Sequence, residues 1–208
     1  SEYAHNLITE LAQKPSVEKI YVIADKIEGS NKTITNQPNV VVLRVWKSDN
    51  IFSILKILQI LLNIKPDVVH FNVHFQSWGR SRIVNFTGMS LIFISKLLGF
   101  KVLAEIHNLG EKVDLTKVQL KPTMLNKLGI LLATKLILSA PKVVVTVKSY
   151  ASYLSKRYNH KNVLYIPHGT HVRELARVDP AKKVILIFGH MGPYKGLPVL
   201  FQAFNELY

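Results

Sequence analysis

The sequence predicts an α/β protein, a Rossmann-like parallel sheet covered by helices on both faces. Short apolar runs alternate with segments whose apolar residues recur at helical spacing, the pattern of strand–helix–strand units. Several runs are apolar almost throughout, as at 102–106 and 143–147, which suits strands buried on both faces. Apolar residues make up 48% of the chain, enough to fill such a core.

Residues 1–13 open with a helix. Ala4, Leu7, Ile8 and Leu11 form one stripe, and Ser1 is placed to cap it. Residues 19–24 read as a strand, a polar loop follows through Asn39, and 40–46 is a second strand. Asn50 or Ser53 starts a helix that runs to Ile64; Pro66 and Asp67 separate it from a strand over 68–73. Residues 86–98 are helical and stop at Gly99, and 102–106 is the next strand. A longer loop spans 107–122. Residues 123–139 form a very apolar helix ended by Pro141, followed by a strand over 143–147, a short helix over 150–158 and a strand over 163–166. Residues 173–183 are polar, contain Pro180 and read as a linker. The expected organisation is therefore one domain over 1–172, a linker over 173–183 and the start of a second, truncated Rossmann-like domain over 184–208.

That second unit holds the most informative stretch. Four apolar residues, 185–188, run into Gly189-His190-Met191-Gly192-Pro193-Tyr194-Lys195-Gly196, and Leu197, Leu200, Phe201 and Phe204 then recur at helical spacing. This is strand, Gly-rich turn, helix. A helix N-terminus offers unpaired backbone N–H groups and the positive end of a dipole to an anion. Lys195 adds a point charge for a phosphate oxygen.

Together with two other segments, this stretch resembles the family-4-type retaining glycosyltransferases of the GT-B fold. The second segment is Asn162-Val-Leu-Tyr-Ile-Pro167-His168-Gly169, similar to the strand and Pro-X-Gly turn before that family's interdomain linker. The third is Lys101-Val-Leu-Ala-Glu-Ile-His107-Asn108, a strand ending in histidine. Their order and spacing fit the family along nearly the whole chain. The resemblance implies a transferase that moves a sugar from a nucleotide-sugar donor to a hydroxyl on a sugar or lipid-linked acceptor, with retention. It implies no cofactor and no obligatory metal. It also implies a first strand and Gly-rich loop before Ser1 and a donor-binding glutamate pair beyond Tyr208, so that these 208 residues alone are expected to be inactive.

By the same resemblance His107 is the catalytic candidate, beside the transferred sugar. Its position at the carboxyl end of a strand, where open α/β sheets bind ligands, points the same way. Gly189, His190, Lys195 and Gly196 are the donor-phosphate candidates. The family has an Arg five residues before the Lys; here that residue is His190. Acceptor and sugar candidates are Asn72 and His74 on one strand, Trp78 and Arg80 in the loop after it, and Asn108 and Glu111 after His107. A Trp beside arginines suits sugar stacking and phosphate contact. His70 and His74 share a strand face, but at ~3.3 Å per residue they lie about 13 Å apart, too far for one metal ion. No metal site is expected.

The formal net charge is +14, and residues 112–161 carry ten Lys or Arg against one acid, Asp114. Anionic lipid, nucleic acid and phosphorylated substrates all attract such a block. No nucleic-acid recognition signature accompanies it. The very apolar helix over 123–139 lies inside the block, which favours a membrane surface. A peripheral membrane-binding or nucleic-acid-binding α/β domain without catalysis is the alternative reading. A dinucleotide-dependent dehydrogenase would need a G-X-G-X-X-G turn after a strand, and none follows a strand of this chain. The chain has no cysteine, so neither a disulfide scaffold nor a thiolate metal site can form. These features fit a cytoplasmic protein, peripheral at the inner face of the membrane.

Overall fold

A computed structural model describes residues 2–26, 37–74, 77–79, 81–116, 121–169, 187 and 196–207. The fold is α/β, with parallel strands flanked by helices. In chain order the elements are α1 (Glu2–Ala12), β1 (Ile20–Asp25), β2 (Val40–Trp46), α2 (Ile51–Ile64), β3 (Val68–Val73), α3 (Arg82–Leu97), β4 (Lys101–Ile106), a 3-10 turn (Gly110–Lys112), α4 (Met124–Ile137), β5 (Lys142–Val145), α5 (Lys148–Tyr158), β6 (Val163–Tyr165) and α6 (Leu197–Leu207). The linker expected over 173–183, and all of the strand expected over 184–188 except residue 187, lie outside the described residues.

Local chemistry sets the helix starts. The Asn50 side chain accepts from Phe52 N at 2.9 Å, Ser81 caps α3 through Val84 N, and Thr123 caps α4 through Asn126 N. Each such cap is worth about 1 kcal/mol. Ser81 explains why α3 begins four residues before the expected Phe86: a capping hydroxyl followed by Arg82, Ile83 and Val84 supplies a first turn ahead of the apolar stripe. Helix α2 ends at Lys65, which takes a left-handed φ of 51° and returns its N–H to Leu61 O.

All strand pairs are parallel, but they form two sheets among the described residues: β1–β2, and β3–β4–β5–β6 in that order. Chain order and spatial order coincide across the larger sheet, each step crossing over through one helix. Register places Val69, Phe71 and Val73 beside Val102, Ala104 and Ile106, and the last two beside Val143 and Val145. These alternate residues share one face. They are buried with Ile54, Ile57 and Leu61 of α2, Leu91 and Ile92 of α3 and Ile137 of α4 in a single core. Ile23 of β1 and Trp46 of β2 pack against the same core, so the two sheets share it without exchanging backbone hydrogen bonds.

Helix α3 lies between α2 and α4 and touches both, so the three form one layer over that face. The opposite face is reached by α1, whose Tyr3 hydroxyl donates to Glu105 of β4. Glu105 alternates with Ala104 and Ile106 and therefore points away from the main core.

Candidate active site at the carboxyl edge of the sheet

Three strands end together. His74 follows β3, His107 follows β4 and His168 lies just beyond β6. The His107 N–H donates to Val73 O at 3.1 Å, which extends the β3–β4 pairing by one residue and fixes the imidazole at the sheet edge. The His107 ring is sandwiched. His74 stacks on it with centroids 4.4 Å apart and planes 10° apart, and His168 stacks at 5.1 Å and 13°. Tyr3 meets both His107 and His168 edge-on, at 4.9 and 4.6 Å. His107 is 7% exposed, while His74 and His168 are exposed on its two sides.

Beneath this stack lies Glu105, 3% exposed. Its carboxylate accepts from the Tyr3 hydroxyl and pairs with His70 Nε2 at 3.1 Å. Burial pushes its pKa up, but the hydrogen bonds from His70 and Tyr3 outweigh burial and hold it below the ordinary carboxylate range. The tyrosine is pushed up, by burial first and then by the carboxylate it serves. His107 Nε2 stands 3.9 Å from Glu105 Oε1, beyond hydrogen-bond reach. Burial, with His74 and His168 adding to it, lowers the His107 pKa to about 4; Glu105 opposes this and does not prevail. His74 is lowered as well, mainly by burial. His107 is therefore a neutral imidazole at pH 7.

Two polar atoms at this edge are buried with no hydrogen-bond partner among the described residues: His107 Nε2 and Thr146 Oγ1. Register pairs Ile106 with Val145, so the residues that follow, His107 and Thr146, lie side by side at the ends of β4 and β5. Both belong to the face that carries Glu105. An unmet buried polar atom is costly, about 1–3 kcal/mol, and both of these are closed off from solvent.

The expected site residues divide accordingly. His107, His74 and the half-buried Asn72 come together at the edge, and exposed Asn108 follows them. Trp78 is used for packing: it lies 5.6 Å from Trp46, and a Cβ on Gly88 would fall 2.3 Å from its ring. Its loop is clamped to the β2–α2 turn by Asp49 N–H donating to Trp78 O at 3.0 Å. Glu111 is held elsewhere, accepting from Tyr153 at 2.9 Å, from Tyr158, and from Arg157 Nε at 3.0 Å. It lines a cavity of about 670 Å³ between the 3-10 turn, α4 and α5, whose lining does not include His107. Gly189, His190, Lys195 and Arg80 lie outside the described residues. Gly196 precedes α6 with φ +67°, a left-handed angle that glycine adopts without strain.

Among the described residues no group of three His, Asp or Glu is placed to hold a metal ion. The ring nitrogens His107 Nδ1 and His168 Nε2 lie 3.5 Å apart, a contact whose donor depends on the tautomer. Sequence reasoning missed Glu105, Tyr3 and Thr146. Glu105 had a readable signal, a carboxylate inside an otherwise apolar strand, which a fold accepts only when it is paired.

This edge and fold define a class: a Rossmann-like α/β domain with a polar, histidine-rich edge at the carboxyl ends of its strands. No family model matches the chain, and no curated protein is significantly similar to it.

Proposed function

We propose that this edge is the sugar-binding side of a retaining glycosyltransferase, with His107 contacting the transferred sugar. The observation that supports the reading is the neutral His107 imidazole held at the carboxyl end of β4, where open α/β sheets bind ligands, between the exposed His74 and His168. A sugar presents a row of hydroxyls, each able to donate and accept. A neutral imidazole can do the same, and it brings no charge that must be desolvated. The resemblance of the 101–108, 162–169 and 185–204 segments to the GT-B family supplies the reaction class.

In that reaction the acceptor oxygen bonds to the anomeric carbon on the face from which the diphosphate leaves. The anomeric carbon–oxygen bond to the diphosphate breaks, and the acceptor proton ends on the departing phosphate. His107 orients the sugar. Lys195, placed by the resemblance at a helix start, neutralises the developing diphosphate charge. Glu105 touches none of the reacting atoms in this scheme; with Tyr3 it holds the floor under His107.

The test is donor-dependent release of nucleoside diphosphate by the full-length gene product across a panel of nucleotide sugars. His107→Ala is expected to lower kcat by ten- to a hundredfold, the cost of roughly 1.5–3 kcal/mol of transition-state contact, with the fold intact by circular dichroism. Full turnover by that variant would remove His107 from the chemistry. No turnover of any nucleotide sugar by the unaltered protein would remove the reaction class.

A further inference from the structure

His107 has two ring nitrogens and, at pH 7, one proton to place between them. An ordinary imidazole is already mostly neutral there, and burial makes His107 more so. Which nitrogen carries the proton is set by what each one faces. Nε2 is closed off from solvent and stands 3.9 Å from Glu105 Oε1. Nδ1 meets Nε2 of His168 at 3.5 Å.

Glu105 is an anion at that pH. It is 3% exposed, yet its carboxylate accepts from the Tyr3 hydroxyl and pairs with His70 Nε2 at 3.1 Å, and such donors stabilise the ionised form. A bare His107 Nε2 would set its lone pair beside this anion, out of reach of solvent screening. An N–H sets the positive end of a dipole there instead. At 3.9 Å the two make no hydrogen bond, but charge–dipole attraction extends beyond hydrogen-bond reach. With the proton on Nε2, Nδ1 is bare. Two bare nitrogens facing each other repel, so His168 turns an N–H toward it across the 3.5 Å contact. In the reverse pattern His107 donates from Nδ1 to a bare His168 Nε2. That serves the contact equally well but leaves a lone pair beside Glu105. The carboxylate separates the two patterns.

We propose that Glu105 is a positioning residue for His107: it holds the ring proton on Nε2, so that Nδ1 is a hydrogen-bond acceptor and His168 donates to it from Nε2. Tyr3 and His70 keep the carboxylate in place, and Glu105 acts on the sheet edge through the ring rather than by touching a ligand. A sugar hydroxyl that takes the place of His168 then meets an acceptor and must donate; this step rests on the sugar-transfer reading. The proton pattern does not, because it is read in the ligand-free chain.

Long-range 1H–15N correlation spectra of the 208-residue chain at pH 7 distinguish protonated from bare ring nitrogens, and His107→Phe and His168→Phe identify the two rings among the eight histidines. His107 and His168 are both expected to carry their proton on Nε2. Glu105→Gln keeps the shape and removes the charge; it should raise the ratio of Nδ1–H to Nε2–H in His107 by about tenfold or more. Tyr3→Phe removes a hydrogen bond from the same cluster and keeps the charge, so the proton should stay on Nε2. A merely structural role for Glu105 would make those two variants alike. His168→Phe should also leave the proton of His107 on Nε2. The proposal is overturned if His107 carries its proton on Nδ1 in the unaltered chain, if Glu105→Gln leaves the ratio unchanged, or if His168→Phe moves the proton. Should Glu105→Gln fail to fold by circular dichroism, the unaltered chain and His168→Phe still decide between the two patterns.

Discussion

Two carboxylates six residues apart, Glu105 and Glu111, are held by tyrosine hydroxyls and a basic side chain, one tyrosine for Glu105 and two for Glu111, yet their surroundings make them different devices. Glu105 is sealed at 3% exposure; it pairs with His70 Nε2 at 3.1 Å and lies 3.9 Å from Nε2 of His107, an imidazole that takes up a proton only near pH 4. Glu111 accepts from Tyr153 and Tyr158 and pairs with Arg157, none of which titrates near neutral pH. Burial and the carboxylate push Tyr158 up to about 12, and Lys112 Nζ lies over the Tyr153 ring at 4.1 Å. Glu111 is a permanent clasp that ties the loop after β4 to α5. Glu105 is the base of a cluster whose proton count depends on pH. The same side chain becomes structural or adjustable according to which donors the fold brings to it.

Removing Glu105 should have the largest effect. Glu105→Ala strips two hydrogen bonds to a buried charged group, each worth about 1.5–3 kcal/mol, so chemical denaturation should show a loss on the order of 3 kcal/mol or more. If Glu105→Ala and Glu111→Ala proved equally costly at every pH, the distinction between adjustable cluster and fixed clasp would collapse.

The pH profile comes next. His107 has a folded pKa of about 4 against the ordinary 6.5 of an unfolded imidazole. Between those values the unfolded chain holds more protons, so stability rises with pH. The contribution is complete above about 6.5 and lost as pH falls toward 4, by up to roughly 3 kcal/mol. The depressed Glu105 adds to the loss below the ordinary carboxylate range. His107→Phe should flatten the upper part of this profile, measured by denaturant midpoints from pH 4 to 7. An unchanged slope would show that His107 is not the titrating group.

Tyr158→Phe should have the smallest effect, about 1.5 kcal/mol for one hydrogen bond to a carboxylate. That loss should be the same at pH 5 and pH 7, because Arg157 and Tyr158 do not change charge there. A loss that appeared only at pH 7 would make Glu111 adjustable too.

Much of the fold was legible in the chain because its causes are local. The apolar runs at 40–46, 68–73 and 102–106 became β2, β3 and β4 at the expected places, and Thr123 caps α4 as a Thr before an apolar stripe should. Where local cues were misweighed, the edges moved. Helix α3 starts at Arg82 because Ser81 caps it, and β5 ends at Val145, which leaves Val147 to cap α5. His107 was legible as a strand-end residue. Trp78 reads in sequence as a sugar platform because a loop tryptophan looks available; the fold also packs its ring over Gly88, ten residues on. Glu105 was overlooked because its partners, Tyr3 and His70, lie 102 and 35 positions away in the chain.

By itself the sequence determined the α/β class, the parallel strands and the placing of a histidine at the end of β4, because periodicity, caps and turn residues act within one or two turns of chain. Tertiary structure alone decided that His74, His107 and His168 stack, that His107 is neutral, and that α2, α3 and α4 present one carboxylate-free face. Burial and electrostatic coupling depend on distance through space, and residues 61 positions apart, such as His107 and His168, meet only once the sheet has brought their strands side by side.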